Sequence, residues 1–260
     1  MALLTDGNPN DTQALQAYET QIVSVASVEG IDLNAKLTLA TAEISEDVID
    51  LLLDHTLTWG TPWIAQGDLR RKLGVSDVVV TAALQRWHAL HTLAIVYRDA
   101  FNNQLNDRYK AKWDEYRALA WSGREKTIKY GIGLVLSPVP EAPAPSFGVT
   151  ESTALAATYY VQATWVSGSG QESEPSEMTN YTTPNGGSLV VSMANAPSVA
   201  TGWNVYIGLT SGGLMLQNSA PLGVSEAFTV PVNGLVSGAA PGNGQPADYY
   251  VTGGQMLRRG

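Results

Sequence analysis

Hydrophobic residues in the first half of the chain recur at three- and four-residue intervals, which is the spacing of an amphipathic helix. The spacing predicts a first helix from an N-cap at Asp11 to about Val28, with Gly30 ending it. A second helical region, broken near Thr41, is predicted over residues 33–55. This part of the chain is therefore expected to be almost entirely helical.

Two longer helices are predicted after an aromatic turn at residues 59–63. Ser76 is the expected N-cap of the first, which extends to about Phe101, and Asn106 caps a second that extends to about Lys129. Because the break between them is so short, we expect an antiparallel hairpin, the basic unit of a small helical bundle. The recurring apolar positions of the first long helix are Val79, Ala83, Leu84, Trp87, Leu90, Ala94 and Tyr97.

The period changes to two beyond residue 130, where β-branched and aromatic residues alternate with polar ones between Gly-, Ser- and Asn-rich turns. Residues 132–136 are expected to form a strand that pairs with a neighbouring subunit. The later runs predict an immunoglobulin-like β-sandwich of about seven strands. These runs are residues 159–166, 188–193, 203–207, 214–217 and 226–230.

The change of period divides the chain into two domains and two further pieces. We predict a helical domain over residues 1–130, a strand and linker over 131–147, a β-sandwich over 148–246 and a tail over 247–260. Proline recurs at close intervals over 138–145, which favours an extended spacer that holds the two domains apart. The expected fold class is multidomain, with an N-terminal antiparallel helical bundle and a C-terminal immunoglobulin-like β-sandwich.

Charge is distributed unevenly along the chain. Of its 15 Lys and Arg residues, 13 lie between Lys36 and Lys129, and the other two are Arg258 and Arg259. The formal net charge is −9, and neither half is basic. A protein that binds nucleic acid through its phosphates needs a clustered positive surface, so sequence-specific nucleic-acid binding is not expected.

The absence of cysteine excludes disulfide bonds, iron–sulfur sites and thiol nucleophiles. No apolar run approaches the about 18 residues of a membrane-spanning helix. The N-terminus lacks the basic start and apolar core of a secretory signal. We therefore expect a soluble protein that is assembled in the cytoplasm and has no membrane partner.

No active site is predicted. His88 and His91 lie three residues apart, close to the spacing of metal ligands, but no third ligand accompanies them, so structural histidines are expected. The Gly131-Ile132-Gly133 segment precedes no helical pattern and is not a phosphate-binding loop. Because neither a Ser–His–Asp order nor a carboxylate pair in an apolar pocket is found, we expect no enzyme activity, metal or cofactor.

The residues singled out for function are candidates for protein–protein contacts. A run of carboxylates on the second helical region forms either a solvated face or a docking surface for a basic partner. Trp59 and Trp63, in the aromatic turn, either fill the helical core or face a neighbouring chain. The carboxylates chosen as interface candidates are Glu46, Asp47, Asp50 and Asp54.

Cationic and aromatic residues complete the candidate interface. Arg108 and Lys112 are expected on the exposed face of the last predicted helix. The C-terminal tail is apolar and cationic, and either docks on another chain or forms a disordered end. The tail residues chosen are Tyr249, Tyr250, Arg258 and Arg259.

Three segments of the β half belong together. They are residues 159–166 (YYVQATWV), the turn at 170–176 (GQESEPS) and the strand at 200–207 (ATGWNVYI). With Pro221-Leu222-Gly223 they resemble the fibronectin type III or immunoglobulin-like domains appended to bacteriophage virion proteins. Gln171 departs from that pattern, which often has an acid there. The resemblance implies an immunoglobulin-like fold on the surface of a virion.

The helical half combines an acidic amphipathic helix, a tryptophan-rich break and a long hairpin containing residues 97–100 (YRDA) and 108–113 (RYKAKW). In this combination it is similar to the head–tail connector, or adaptor, proteins beneath the portal of bacteriophages. The resemblance implies a structural virion protein of the neck. It also implies a ring of copies, commonly twelve, that contacts the portal protein above and a tail or second neck protein below, with DNA only passing through the lumen.

Two other function classes compete with this one. A bacterial surface carbohydrate-binding protein with a helical oligomerisation region would use aromatic faces such as Trp165 and Trp203, or the pair Tyr159 and Tyr160. In a sandwich of this type, however, alternating aromatic residues mostly face the core. The lack of a signal peptide counts against this alternative. A hydrolase with an accessory sandwich would need a nucleophile and a base, which the sequence does not provide.

Overall fold

The chain is a mixed α and β protein, with its helices in the N-terminal part and most of its strands, all antiparallel, in the C-terminal part. The computed structural model describes residues 1–58, 73–104, 107–253 and 256–258. For residues 54–58, 104 and 256–258 it describes the backbone alone.

The chain divides into two compact units. The helical unit comprises the described residues of Leu4–Leu136 and Ala247–Gly260, and the β unit comprises Met1–Leu3 and Ser137–Pro246. The chain leaves the helical unit after Leu136 and returns to it at Ala247. The β unit is therefore an insertion into the chain of the helical unit. The last two described strands, at residues 249–251 and 256–258, belong to the helical unit.

Short polar side chains and one glycine fix the helix ends in the helical unit. Asp11 accepts a hydrogen bond from the Ala14 amide at 2.7 Å, and Asp32 accepts one from the Asn34 amide at 2.9 Å, so both act as N-caps. Gly30 adopts the left-handed conformation, with φ of 65°, and ends the second helix. The described helices are α1 (Thr12–Tyr18), α2 (Ile22–Glu29), α3 (Leu33–Thr58), α4 (Ala82–Gln104) and α5 (Asp107–Tyr130).

Two predicted helix boundaries are wrong in the first half of the chain. The helix predicted from Asp11 to Val28 is two helices, because the chain turns between Tyr18 and Ile22. The break predicted near Thr41 is absent: the Thr41 hydroxyl donates to the carbonyl of Leu37 one turn earlier, so the threonine is accommodated inside α3.

The predicted start of the first long helix is also wrong. Ser76 lies in a 3₁₀ turn, Val75–Asp77, and α4 begins only at Ala82. The intervening valines are extended: Val78 bridges to Leu134, and the Val79 amide donates to the carbonyl of Gly133 at 3.0 Å. A run of β-branched residues thus forms strand-like contacts in place of a first helical turn.

Helix α4 is the centre of the helical unit. Between Trp87 and Tyr97 almost every residue is buried, because α5 packs along one side and α1, α2 and α3 pack along the others. The Tyr97 ring stacks on Tyr116 of α5 at 5.5 Å, and Phe101 stacks on Trp113 at 5.9 Å. A helix surrounded in this way stabilises the unit mainly by burying apolar area.

A small sheet closes the helical unit. Strand β1 (Ile132–Leu134) pairs with β10 (Tyr249–Val251), which pairs with β11 (Met256–Arg258), all antiparallel. The strand predicted to pair with a neighbouring subunit thus pairs with the returning tail of its own chain. Gly133 in β1 is tightly enclosed, since a Cβ there would lie 2.8 Å from Val79 and 3.0 Å from Ala247.

The β unit consists of two antiparallel sheets that share one apolar core. One sheet has the order β2-β5-β9, and the other has the order β4-β3-β6-β7, with β8 also paired to β6. Its strands are β2 (Ser146–Glu151), β3 (Ala157–Ser167), β4 (Thr179–Thr183), β5 (Gly187–Ser192), β6 (Ala200–Gly208), β7 (Met215–Leu216), β8 (Leu222–Gly223) and β9 (Phe228–Thr229). Each of the later predicted runs overlaps one of these strands.

Two tryptophans lie at the centre of this core. Trp165 of β3 and Trp203 of β6 are paired across the two strands, and their exposures are 1% and 0%. The Trp203 indole donates to the carbonyls of Gly223 and Glu226, both at 3.1 Å, and so satisfies its buried N–H. Leu189 and Val191 of β5 belong to the same cluster, so the two sheets are joined by their inner faces.

The proline-rich segment predicted as a spacer is part of the β unit. Val139 and Ala142 are buried in its core. The Val139 amide donates to the Gln245 side chain at 2.6 Å, and the same side chain donates to the carbonyl of Ser137 at 3.0 Å. The incoming and outgoing ends of the β unit are therefore held together by one glutamine.

We predict that Gly133→Ala destabilises the helical unit by about 1–3 kcal/mol, because the added methyl group overpacks the contact between β1, Val79 and Ala247. Urea unfolding followed by circular dichroism at the helical wavelength measures the change. Gly74→Ala is the matched control, since a Cβ there meets nothing nearer than Ser76 at 4.0 Å. Equal stability of the two variants would contradict the packing described here.

Candidate interface

The acidic run on α3 is divided between internal and exposed positions. Asp47 faces α5, where its two oxygens accept from Arg124 at 2.9 and 3.0 Å. Glu43 faces α4 and contacts His91 at 2.5 Å. Glu46 and Asp50 are exposed on the side of α3 away from the core. The side chain of Asp54 lies outside the described residues.

The bidentate pair of Asp47 and Arg124 fixes α3 to α5. The hydrogen bonds that Arg124 donates to Asp47 are the main reason that the pKa of Arg124 is raised. Because both side chains are partly exposed, the pair adds little to the free energy of unfolding. Its main effect is to orient α3 relative to α5. Asp47 is therefore a structural contact within the chain as well as a candidate interface residue.

The predicted cations of α5 also make contacts within the chain. Lys112 lies 3.1 Å from Glu19, and Arg108 lies 3.7 Å from the buried Glu29. Tyr116 donates to Glu19 at 3.0 Å and Tyr109 donates to Glu29 at 2.7 Å. Glu19 and Glu29 are thus each contacted by one cationic side chain and one tyrosine hydroxyl of α5.

These contacts change the acidity of the groups involved. Burial raises the pKa of Glu19, but hydrogen bonds from Lys112 and Tyr116 outweigh burial and lower the pKa below its ordinary value. The pKa of Lys112 is raised, chiefly by its hydrogen bond to Glu19. Burial raises the pKa of Tyr116. The result is a carboxylate that stays ionised where α1 ends beside α5.

His88 is a buried structural histidine. Asn10 donates to its Nδ1 at 3.0 Å, which leaves the ring proton on Nε2, and Nε2 donates to the carbonyl of Leu37 at 3.1 Å. Burial lowers the pKa of His88 to about 4, and the Leu37 carbonyl only partly offsets this. A neutral imidazole thus joins α4 to α3 and to the segment before α1.

The groove between α3, α4 and α5 is a feature that the sequence pattern did not predict. Its volume is about 430 Å³. Trp121 at its edge is 60% exposed, while Trp87 in its floor is buried. The residues that line it are Asp47, Trp87, His91, Ala94, Ile95, Arg98, Trp113, Arg117, Ala120, Trp121 and Arg124. The groove is therefore rich in tryptophan and arginine, two residue types enriched at the energetic centres of protein interfaces.

Two arginines of this groove lie over tryptophan rings. Arg117 is 5.5 Å from the Trp113 ring centre, and Arg124 is 5.4 Å from the Trp121 ring centre. Residues 113, 117, 121 and 124 follow each other at helical spacing on α5. This alternation of tryptophan and arginine was the signal in the sequence from which the groove could have been predicted.

The remaining candidates are placed as follows. Tyr249 and Tyr250 are half-buried in β10, paired with β1 of the same chain. Arg258 ends β11, and its side chain is outside the described residues. Trp59, Trp63 and Arg259 also lie outside the described residues.

Within the described part of the chain, no group of three or more His, Asp or Glu residues is arranged to hold a metal ion. No described helix is both long and apolar enough to span a membrane. In comparisons with known proteins, no family model matches the chain, and no curated protein is significantly similar to it.

We predict that stability falls as the pH decreases from 6.5 to 4. Because the pKa of His88 is about 4 in the folded chain and 6.5 when unfolded, the unfolded state binds more protons in this window. The difference corresponds to about 3 kcal/mol that is present above pH 6.5 and lost below pH 4. Urea unfolding at a series of pH values measures this slope.

The variant His88→Gln should have a flatter profile in that window, because it lacks the group that takes up the proton on unfolding. If His88→Gln keeps the full slope of the unchanged protein, the buried neutral His88 is not its origin.

Proposed function

We propose that this protein is a structural component of a bacteriophage virion: a head–tail connector, or adaptor, that forms a ring below the portal and joins capsid to tail. In this proposal the helical unit is a small antiparallel bundle that makes the ring. The β unit is an immunoglobulin-like sandwich that decorates the neck. The portal protein and a tail or second neck protein are the partners above and below the ring.

The observation that carries the proposal is the insertion of one compact unit into the other. The β unit begins after Leu136 and ends before Ala247, and these residues adjoin strands β1 and β10 of the helical unit. A domain inserted between paired strands adds a surface without interrupting the helices that pack on α4. This arrangement suits an assembly subunit that carries an inserted decoration domain. The two resemblances in the sequence point to the same kind of protein.

Two features of the β unit support its comparison with immunoglobulin-like domains. Its two antiparallel sheets share one core, and tryptophans of adjacent strands fill that core without a disulfide. The turn at residues 170–176 runs along β3. The amides of Ser173 and Ser176 donate to carbonyls of β3, and their hydroxyl oxygens accept from amides of β3. Glu172 of the same turn accepts from Tyr206 at 2.7 Å and from Asn204 at 2.7 Å. The residues that carry the resemblance are thus the ones that tie β3 to β6.

The carbohydrate-binding alternative is weaker because the aromatic residues it needs are inside the fold. Trp165, Trp203 and Tyr159 are buried in the core of the β unit. A sugar-binding surface requires exposed aromatic faces, which these three side chains do not offer. Tyr160 is only half-buried, but a single ring is a poor platform for a glycan.

The proposal is tested by labelling phage particles and cells of the source with gold-conjugated antibody raised against the full chain, and imaging them by electron microscopy. We expect label at the junction between head and tail. The control is the same antiserum absorbed with the purified protein, which should remove the label. Label on cell walls with none on particles would reject the connector and favour the carbohydrate-binding protein.

A further inference from the structure

Three arginines, Arg98, Arg117 and Arg124, line the tryptophan-rich groove, and Asp47 is the one carboxylate among its described lining residues. Arg98 lies 3.4 Å from Asp99, but Asp99 is shared with Lys36 at 2.5 Å. Arg117 lies 3.3 Å from Asp114, which Lys110 contacts at 2.7 Å. Asp99 and Asp114 are thus each shared between a groove arginine and a lysine, so neither Arg98 nor Arg117 has a carboxylate to itself.

Among the groove arginines, Arg98 and Arg117 are the ones available to a ligand. Their side chains are 41% and 66% exposed, whereas Arg124 is occupied by the bidentate contact with Asp47. The apolar surface next to them includes the exposed ring of Trp121. The complement of this surface is a segment that has carboxylates beside an aliphatic side chain.

Helix α3 presents such a segment on its outer side. Glu46, Ile49 and Asp50 are all exposed, and their spacing of three and four residues places them on one face. We call this face the acidic strip. Among the ion pairs between described residues, none involves Glu46 or Asp50, although the negative charge of Asp50 contributes to the raised pKa of Arg124. The acidic strip thus has two carboxylates and an aliphatic side chain, which are complementary to the arginines and the exposed tryptophan ring of the groove.

We propose that the acidic strip of one copy docks into the groove of another copy. This inference rests on the proposed ring, since it supplies the contact between successive subunits. Glu46 and Asp50 of one copy neutralise Arg98 and Arg117 of the next, and Ile49 packs against the ring of Trp121. In this proposal the occupant of the groove is a second copy of the same chain.

The physical chemistry of the contact favours specificity. Carboxylates that meet arginines at the edge of an apolar patch fix the register of two surfaces and speed their association. Arginine and tryptophan are the residues most often found at the energetic centre of an interface, where neighbouring contacts exclude water. Because the contacts are charged, the association should weaken as the salt concentration rises.

The test uses charge reversal on both surfaces of the full chain. Sedimentation velocity over a range of protein concentrations measures the self-association constant of the unchanged protein. It is repeated for the groove variant Arg98→Glu/Arg117→Glu, the strip variant Glu46→Lys/Asp50→Lys, and a variant carrying all four changes. Lys126→Glu/Lys129→Glu, which reverses two exposed charges elsewhere on α5, is the matched control.

We expect the groove and strip variants each to weaken self-association by at least about tenfold. The fourfold variant should recover it, because the reversed strip again meets a groove of opposite charge. Trp121→Ala, at an exposed position, should also weaken association without loss of the fold. Circular dichroism of every variant verifies that the helices are intact.

Three results would overturn the proposal. The unchanged protein could stay monomeric at all concentrations. The groove variant could associate like the unchanged protein, in which case the groove serves another partner. The fourfold variant could fail to recover, which would mean that the two surfaces do not touch each other. None of these results removes gold label from the head–tail junction, so failure here is distinguishable from failure of the connector proposal.

Discussion

The antiparallel pairing of β1 with β10 is the contact on which the organisation of this chain depends. It brings Tyr249–Val251 back to Ile132–Leu134 after the whole β unit has been completed. The Asp248 amide donates to the carbonyl of Leu134, and the Leu136 amide donates to the side chain of Asp248. The entropic cost of closing a loop rises only slowly with its length. A few strand hydrogen bonds and the packing around Gly133 can therefore offset the cost of bringing β10 back to β1.

The helical unit uses most of its charge internally. Glu19, Glu29, Glu43 and Asp47 are each held by a residue of α4 or α5, so that α1, α2 and α3 are fixed around the central helix. His88 adds a neutral contact of the same kind. Among the charges that remain exposed, Arg98 and Arg117 lie in the groove, and Glu46 and Asp50 lie on the outer face of α3. In a chain with a net charge of −9, a surplus of arginine in one groove is a local feature that indicates a partner.

The sequence predicted the helices and the core strands well because their periods are set by burial on one side. It failed where a tertiary contact overrides the local pattern: Thr41 is accommodated inside α3, and the valines before α4 pair with β1. β2 was not predicted because five of its six side chains are exposed, which leaves little alternation to detect. β4 does alternate in burial, but its sequence, TNYTT, has little contrast between apolar and polar residues. The return of the tail could not be predicted, since pairing between residues 132 and 251 has no local signal. The charged interface candidates could be chosen from the sequence. Which of them pair within the chain, as Asp47 and Lys112 do, depends on how the helices pack.

Amide hydrogen exchange on the full chain, followed by mass spectrometry, tests the inserted arrangement most directly. If β10 belongs to the helical unit, amides of residues 249–251 are protected and open together with those of β1 and of α4. Amides of β3 and β6 then open separately, as expected for a second cooperative unit. Exchange of residues 249–251 at the rate of an unstructured peptide, with β1 still protected, would contradict the account.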